Sequence, residues 1–402
     1  MGNVPPPPGS SWPAAPEGPE GQASRTHAQE QTWAGPPGGG RLTPPEGHPA
    51  VNADRGVWAW PPPSPVRTRE QHPFAPAVVP GGESYHRLGR TSWYRWWTPL
   101  LTLAVLGVLV FFLWVAMALA VTLVAVLGGS GLAPESVRVG EIAGLAFGLI
   151  TAALFIPITV FLVRVVQWRR VGSLISVEGR ARSRWLLRCA ALAVVPVALA
   201  TAAYVPLAGR FGLEPVSAEA AGGGRVLLAA LFVIALLVPF QSLAEELTLR
   251  GLVMQLVGAL GARPDEAGGS GAVARVLRSP WPAVLAGGTL FPAIYASTHP
   301  GMPWTTAALA VLGLALSWLT WRTGGLEAAI GLHVVSALVQ FTLTVLAGGI
   351  TAIGTGVVVG AGLAPGAGTP LVLALTVAQT GLYALLVRRA ARRAGVHRVS
   401  AA

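Results

Sequence analysis

From about residue 100 to residue 390 the chain is a succession of apolar runs separated by short polar loops, and residues 1–90 contain no such run. A bilayer core about 30 Å thick is crossed by about 20 apolar residues in a helix. Eight segments meet or approach that length: 99–128, 142–166, 186–208, 226–248, 280–299, 304–321, 327–347 and 370–387. The fourth runs on into Glu245 and Glu246, and the fifth and sixth are short. The pattern predicts an all-α polytopic membrane bundle of about eight transmembrane helices. Pro157, Pro196, Pro239 and Pro292 fall inside these helices, where a bilayer protein tolerates them and where they often mark broken geometry near sites. No internal repeat suggests an inverted-repeat transporter.

The first 90 residues read differently. Nineteen of the 34 prolines lie before residue 81, with runs at Pro5–Pro8 and Pro61–Pro63. This composition predicts a disordered cytoplasmic tail with polyproline II stretches. Trp12, Trp33, Trp58 and Trp60 would suit it to docking a cytoplasmic partner, although composition favours a plain solvated extension. Residues 91–398 then form one transmembrane domain. Met1 to Ser10 holds no apolar stretch, so no cleavable signal peptide is expected, and the first helix would drive insertion.

Composition agrees with a bilayer solvent: 52% of residues are hydrophobic and 11% charged, against about a quarter charged in soluble domains. All 28 basic residues are arginine, which suggests a GC-rich bacterial genome, and the net charge is +11. A basic chain can bind nucleic acid, but these arginines flank apolar segments, where membrane anchoring and orientation explain them. His86, Arg87, Arg90 and Arg95 precede the first helix, and Arg164 to Arg184 lie between the second and third. Arg263, Arg275 and Arg278 lie between the fourth and fifth, Arg322 follows the sixth, and Arg388 to Arg393 follow the eighth. With eight spans every arginine-rich loop falls on one side. The expectation is a multi-pass protein of the cell membrane with both termini cytoplasmic. Trp93, Trp96 and Trp97 sit where an interfacial aromatic belt would begin. The single cysteine, Cys189, excludes an intrachain disulfide and a cysteine-rich metal site.

A charge at bilayer depth costs at least about 2.5–3.5 kcal/mol, so each one needs a reason. The deep ionisable residues are Glu245, Glu246, Arg250, His299 and His333, with Arg322 and Glu327 near helix ends. Glu246 and Arg250 are four apart and can pair on one helix face. Glu245 points about 100° away from that face and lacks the local partner. An undercompensated carboxylate at low dielectric suits a general base; the plainer alternative is an interfacial acid beside an ion pair. Tyr295 and His299 share a face at i, i+4, and His333 lies in the middle of an apolar helix with Ser336 after it. A lone helical histidine is usually a satisfied hydrogen-bonding group. Two histidines and an acidic pair on three helices form a set that can position a water, bind a metal or relay protons.

The order and spacing of these residues resemble the CPBP family, which contains type II CAAX prenyl endopeptidases and bacterial bacteriocin-processing or immunity membrane proteins. Its first motif, Glu-Glu-x-x-x-Arg, is matched by Glu245-Glu246-Leu-Thr-Leu-Arg250. Its second, Phe-x-x-x-His, is matched by Tyr295-Ala-Ser-Thr-His299 with tyrosine for phenylalanine. Its third, His-x-x-x-Asn/Asp, keeps His333 but has Ala337 in the last place, with Ser336 one residue out of register. The resemblance covers about residues 180–347.

The resemblance implies an intramembrane endopeptidase acting on a membrane-embedded or membrane-associated peptide or protein. Glu245 would be the general base, His299 would hold or deprotonate the water, and His333 would donate to the oxyanion. Glu246 and Arg250 would aim Glu245, with Tyr295 and Ser336 in support. If a divalent metal such as zinc were bound, Glu245, His299 and His333 would hold it, although no H-E-x-x-H motif is present. Ala337 removes one oxyanion donor. That opens an alternative, a family scaffold without chemistry that binds a partner peptide in immunity or secretion. A proton-coupled transporter is the remaining reading.

Overall fold

The computed structural model describes residues 76–77, 79–128, 141–208, 224–346 and 368–400. The predicted tail up to residue 75 therefore lies outside the described residues. Among those described, the secondary structure is helical, with a few isolated β-bridges and no strand.

The long helices are α1 (Thr98–Leu127), α2 (Glu141–Ala153), α3 (Phe155–Phe161), α4 (Ser183–Ala208) and α5 (Gly224–Glu245). After α5 a π-helical stretch, Glu246–Val253, leads into α6 (Met254–Gly258). Then come α7 (Pro280–Thr298), α8 (Pro303–Thr323), α9 (Glu327–Leu346) and α10 (Pro370–Ala394). A second π-helical stretch, Leu162–Val166, extends α3. The fourth apolar segment is thus longer than expected, a continuous rod from Gly224 to Gly258.

Seven of the described helical spans are long and apolar enough to cross a membrane. Helix α7 is not among them. It has the 19 residues needed, but Gly287, Gly288, Thr289, Ser297 and three prolines dilute its hydropathy. Its small residues serve packing instead. A Cβ on Gly288 would stand 2.8 Å from the Leu314 backbone, and one on Gly313 would stand 2.2 Å from the Gly288 carbonyl oxygen. Inside lipid, where tails are as apolar as leucine, such close backbone approach is what holds helices together.

Helix α9 is central, packed on α4, α5 and α8, while α10 covers α4 and α8. The inner seams are made by Cys189, Ala193, Leu316, Leu319, Ala328 and Tyr383 in one layer and by Leu145, Ile234, Val238 and Phe341 in another. Helix α1 stands at the rim, with Leu100, Phe111, Phe112 and Leu119 facing outward. That is a lipid-facing surface by composition.

The arginine-bearing loops meet at one end of the bundle. The Ser400 N–H donates to the Glu83 carbonyl, and the Gly82 N–H donates to the Ser400 carbonyl. Leu326 N–H donates to Ile175 O, and Val177 N–H to Gly324 O. Arg263 pairs with Glu83 at 3.0 Å, and Arg90 pairs with Glu266. Arg182 grips the buried Glu327 through two guanidinium nitrogens, at 2.8 and 2.7 Å. Chain segments before α1, after α3, after α6, after α8 and after α10 therefore share one layer. Each helix pair leaves this layer and returns, so α7 makes an outward traverse despite its composition.

One boundary differs from the sequence reading. The expected tail extends to about residue 90, but Tyr85, His86, Leu88 and Arg90 are buried. Tyr85 donates to the Leu174 carbonyl, and Arg87 donates to the Gly261 carbonyl at 3.1 Å. Proline content sets the tail's polarity, whereas these residues are ordered by partners more than 80 positions away, which no local pattern records.

Candidate active site

Glu245 is the last residue of α5, and the backbone widens into π-helix immediately after it. Single π turns inside α-helices are uncommon and concentrate at functional sites. A π turn holds more residues than an α turn, so neighbouring side chains diverge less than on an α-helix. Glu245 and Glu246 both reach His333 on α9, each at a different nitrogen of its ring.

The contacts divide the two carboxylates by role. His333 Nδ1 lies 2.7 Å from Glu246 Oε1, and Arg250 donates to the same oxygen at 3.0 Å. An ionised carboxylate only accepts, so the Nδ1 position carries the proton. His333 Nε2 then turns a lone pair toward Glu245 Oε2, 3.5 Å away. That separation is at the outer limit of a direct hydrogen bond, and it sets the two atoms side by side at one edge of the site. The other oxygen of Glu245 accepts a hydrogen bond from the Gln241 amide, one helical turn earlier. All four groups are deeply buried: the side chains of Glu246 and Arg250 are 0% and 5% exposed, those of Glu245 and His333 8% and 11%.

A cavity of about 70 Å³ opens beside this pair. A water needs roughly 10–15 Å³, so several fit. Glu245, Arg250 and His333 lie on its wall, with Ser336, Gln340, Thr305 and Thr376 as further polar groups. The remaining lining is mostly apolar, supplied by residues such as Phe291, Leu309, Leu312 and Phe341. Arg250 Nε and Glu246 Oε2 have no hydrogen-bond partner among the described residues.

The structure brings together Glu245, Glu246, Arg250 and His333, but not His299. His299 caps the C-terminus of α7, stacks on Tyr295 with centroids 4.3 Å apart, and shares a 2.8 Å contact with Thr298 Oγ1. Neither Tyr295 nor His299 lines the cavity. The Tyr295 hydroxyl instead reaches Met302 Sδ at 3.1 Å. The reason is local: Pro300 follows His299, and the helix ends there with His299 at φ −132°. Ser336 is buried on the cavity wall and accepts from Gln379 Nε2 at 2.9 Å. Ala337 also lines the cavity and packs with Phe341, Leu145 and Ile234 in the apolar seam.

These positions do not fit a three-ligand metal centre. His299 stands apart, and His333 Nδ1 is committed to Glu246. No group of three histidine, cysteine or acidic side chains suited to a metal occurs among the described residues.

Sequence reasoning missed Gln241, Gln340 and Gln379. Gln241 had a readable signal, since a glutamine four residues before a buried glutamate in an apolar helix can hydrogen-bond to it. Gln340 and Gln379 had none, because their relation to the site depends on how α9 meets α10.

The fold and site define a polytopic helical membrane protein holding a buried carboxylate–imidazole pair beside a mainly apolar cavity. Residues 226–339 match the family model described as type II CAAX prenyl endopeptidase Rce1-like, which supports a likeness to CAAX-type membrane proteases over that stretch. The matched stretch runs from α5 into α9 and contains all three motifs; α1 to α4 and α10 lie outside it. No curated protein and no solved structure matches the chain.

Proposed function

We propose that this protein is an intramembrane endopeptidase in which Glu245 is the general base and His333 Nε2 is its partner in holding the attacking water. The observation that carries this reading is the 3.5 Å approach of Glu245 Oε2 to His333 Nε2 at the wall of a cavity with room for water. Glu245 takes a proton from the water as its oxygen attacks the scissile carbonyl carbon. The C–N bond then breaks, and that proton passes to the departing amine. Glu246 accepts from both His333 and Arg250, so it fixes the imidazole tautomer and ring direction. Arg250, on the same wall, is a cation placed to offset charge developing on the carbonyl oxygen. The apolar lining suits a substrate segment that is itself lipid-embedded or lipid-delivered.

A second reading, a binding scaffold without chemistry, is favoured by two observations. Ala337 places a methyl group in an apolar seam where the family has an amide or acid, and His299 lies off the cavity. The two readings separate in proteoliposomes loaded with a mixed set of membrane-anchored peptides, with products mapped by mass spectrometry. Wild-type protein should cut peptides at defined bonds, and Glu245→Gln should not. Binding of a peptide without cleavage, unchanged in Glu245→Gln, would establish the scaffold.

A further inference from the structure

At the arginine-lined end of the bundle, α8, α10 and the segment after α10 bring together basic residues that form no ion pair among the described residues. Arg322 lies over two indole rings, 5.9 Å from the centroid of Trp318 and 5.5 Å from that of Trp321. Arg388 lies over the same Trp318 ring at 5.8 Å. Arg388, Arg392 and Arg398 are all close enough to repel Arg322 electrostatically. Among the described residues none of these four arginines forms a salt bridge, whereas Arg87, Arg90, Arg182 and Arg263 in the same layer all do. Like charges gathered round one ring repel, and among the described residues no ion pair offsets that cost.

We infer that Arg322, Arg388, Arg392 and Arg398, with Trp318 and Trp321, form a binding site for the phosphate group of an anionic phospholipid. Three features select a lipid headgroup. The site lies at the ends of two helices that are long and apolar enough to span a membrane, so it falls at headgroup depth. Arg388, Arg392 and Arg398 are exposed, while Arg322 is partly covered, giving a depth gradient from surface to interface. Guanidinium forks match phosphate oxygens, and tryptophan faces suit the boundary between acyl chain and headgroup. The site also bears on the cavity. Helix α8 supplies Leu309, Leu312 and Leu316 to the cavity wall and α10 supplies Val372 and Thr376, so a headgroup held by both helices would clamp two of its walls.

The test uses the full-length protein in a neutral detergent, with phosphatidylglycerol or phosphatidylcholine added. Lipid retention is read by native mass spectrometry, and thermal midpoint by tryptophan fluorescence. Wild-type protein should retain phosphatidylglycerol preferentially and gain thermal stability from it. Equimolar inorganic phosphate should give no gain. The Arg322→Gln/Arg388→Gln variant should bind phosphatidylglycerol weaker by roughly tenfold while keeping its midpoint in phosphatidylcholine. The Arg389→Gln/Arg393→Gln variant removes equal charge from α10 outside the cluster and should bind normally. Equal losses in both variants would mean diffuse charge attraction and overturn the site. Stabilisation by free phosphate alone would overturn the lipid assignment, and retention of both lipids alike would overturn it as well.

Discussion

His333 and Glu246 are joined at 2.7 Å through Nδ1 and Oε1, although 87 positions separate them in the chain. This contact turns Nε2 of the ring toward Glu245, so one glutamate orients the imidazole while its sequence neighbour shares the cavity with it.

Replacing Glu245 by glutamine keeps the shape and the neighbouring Gln241 but removes the proton acceptor. Peptide hydrolysis should fall by about 10²–10⁴, the range typical of a lost general base. The measurement is initial rate on a quenched membrane-anchored peptide in proteoliposomes. Retention of more than a tenth of the wild-type rate would assign the base elsewhere.

Glu246→Gln should act first on stability. It leaves Arg250 buried beside a neutral amide, and breaking a buried pair typically costs about 3–5 kcal/mol. A paired replacement, Glu246→Leu with Arg250→Met, removes both charges and should recover most of that loss while hydrolysis stays low. Unfolding in a mixed-micelle denaturant titration gives the comparison. If the double variant is no more stable than Glu246→Gln, Glu246 and Arg250 are not energetically coupled.

The α7–α8 contact is expected to be intolerant of a single methyl group. Gly313→Ala would set a Cβ 2.2 Å from the Gly288 carbonyl oxygen and 3.3 Å from an Arg250 guanidinium nitrogen. Overpacking of this kind costs about 1–3 kcal/mol. Gly107→Ala in α1, where nothing lies within 4 Å, should be neutral or stabilising by up to about 1 kcal/mol. Thermal midpoints of the two variants in one detergent should therefore move in opposite directions or differ by several degrees. Equal midpoints would contradict the close approach.

His86 supplies a pH expectation outside the membrane-spanning segments. Burial holds its pKa below the ordinary 6.5, aided by the neighbouring Arg87 and opposed by its contact with the Arg278 carbonyl and by Glu83. Its Nε2–H donates to that carbonyl at 3.0 Å, and Nδ1 lies 3.1 Å from Ser84 Oγ. Below pH about 6.5 the unfolded chain binds a proton that the folded chain resists. Stability present at neutral pH should decline as pH falls from there through the lower folded pKa. The decline should be shallower in His86→Gln, measured by thermal midpoint between pH 7.5 and 5.5. Parallel curves for the two proteins would exclude His86 as its source.

The helical architecture was legible because the bilayer imposes a length and a composition on each crossing. The glutamate pair, Arg250 and His333 were legible for a related reason: ionisable groups in apolar runs are costly, so the few present stand out. Arginine spacing grouped alternate loops together, and the Ser400–Glu83 and Leu326–Ile175 contacts each join two of those segments.

Other features had no local signature. Helix α7 fails as an apolar crossing because its glycines trade hydropathy for backbone contact with α8, and a hydropathy scan cannot weigh contact. The burial of Tyr85 to Arg90 depends on Leu174, Gly258 and Gly261, far along the chain. His299 reads as an equal partner of His333, since spacing alone does not reveal that Pro300 ends its helix with the ring stacked on Tyr295.

The sequence by itself determined which residues would be expensive to bury, because desolvation cost belongs to the side chain and its surrounding run. Only the tertiary structure decided which of them meet. Whether Glu245 faces His333 depends on a π turn at Glu246 and on the seating of α9 against α5, and side-chain direction on two separate helices is a property of their packing, not of either segment alone.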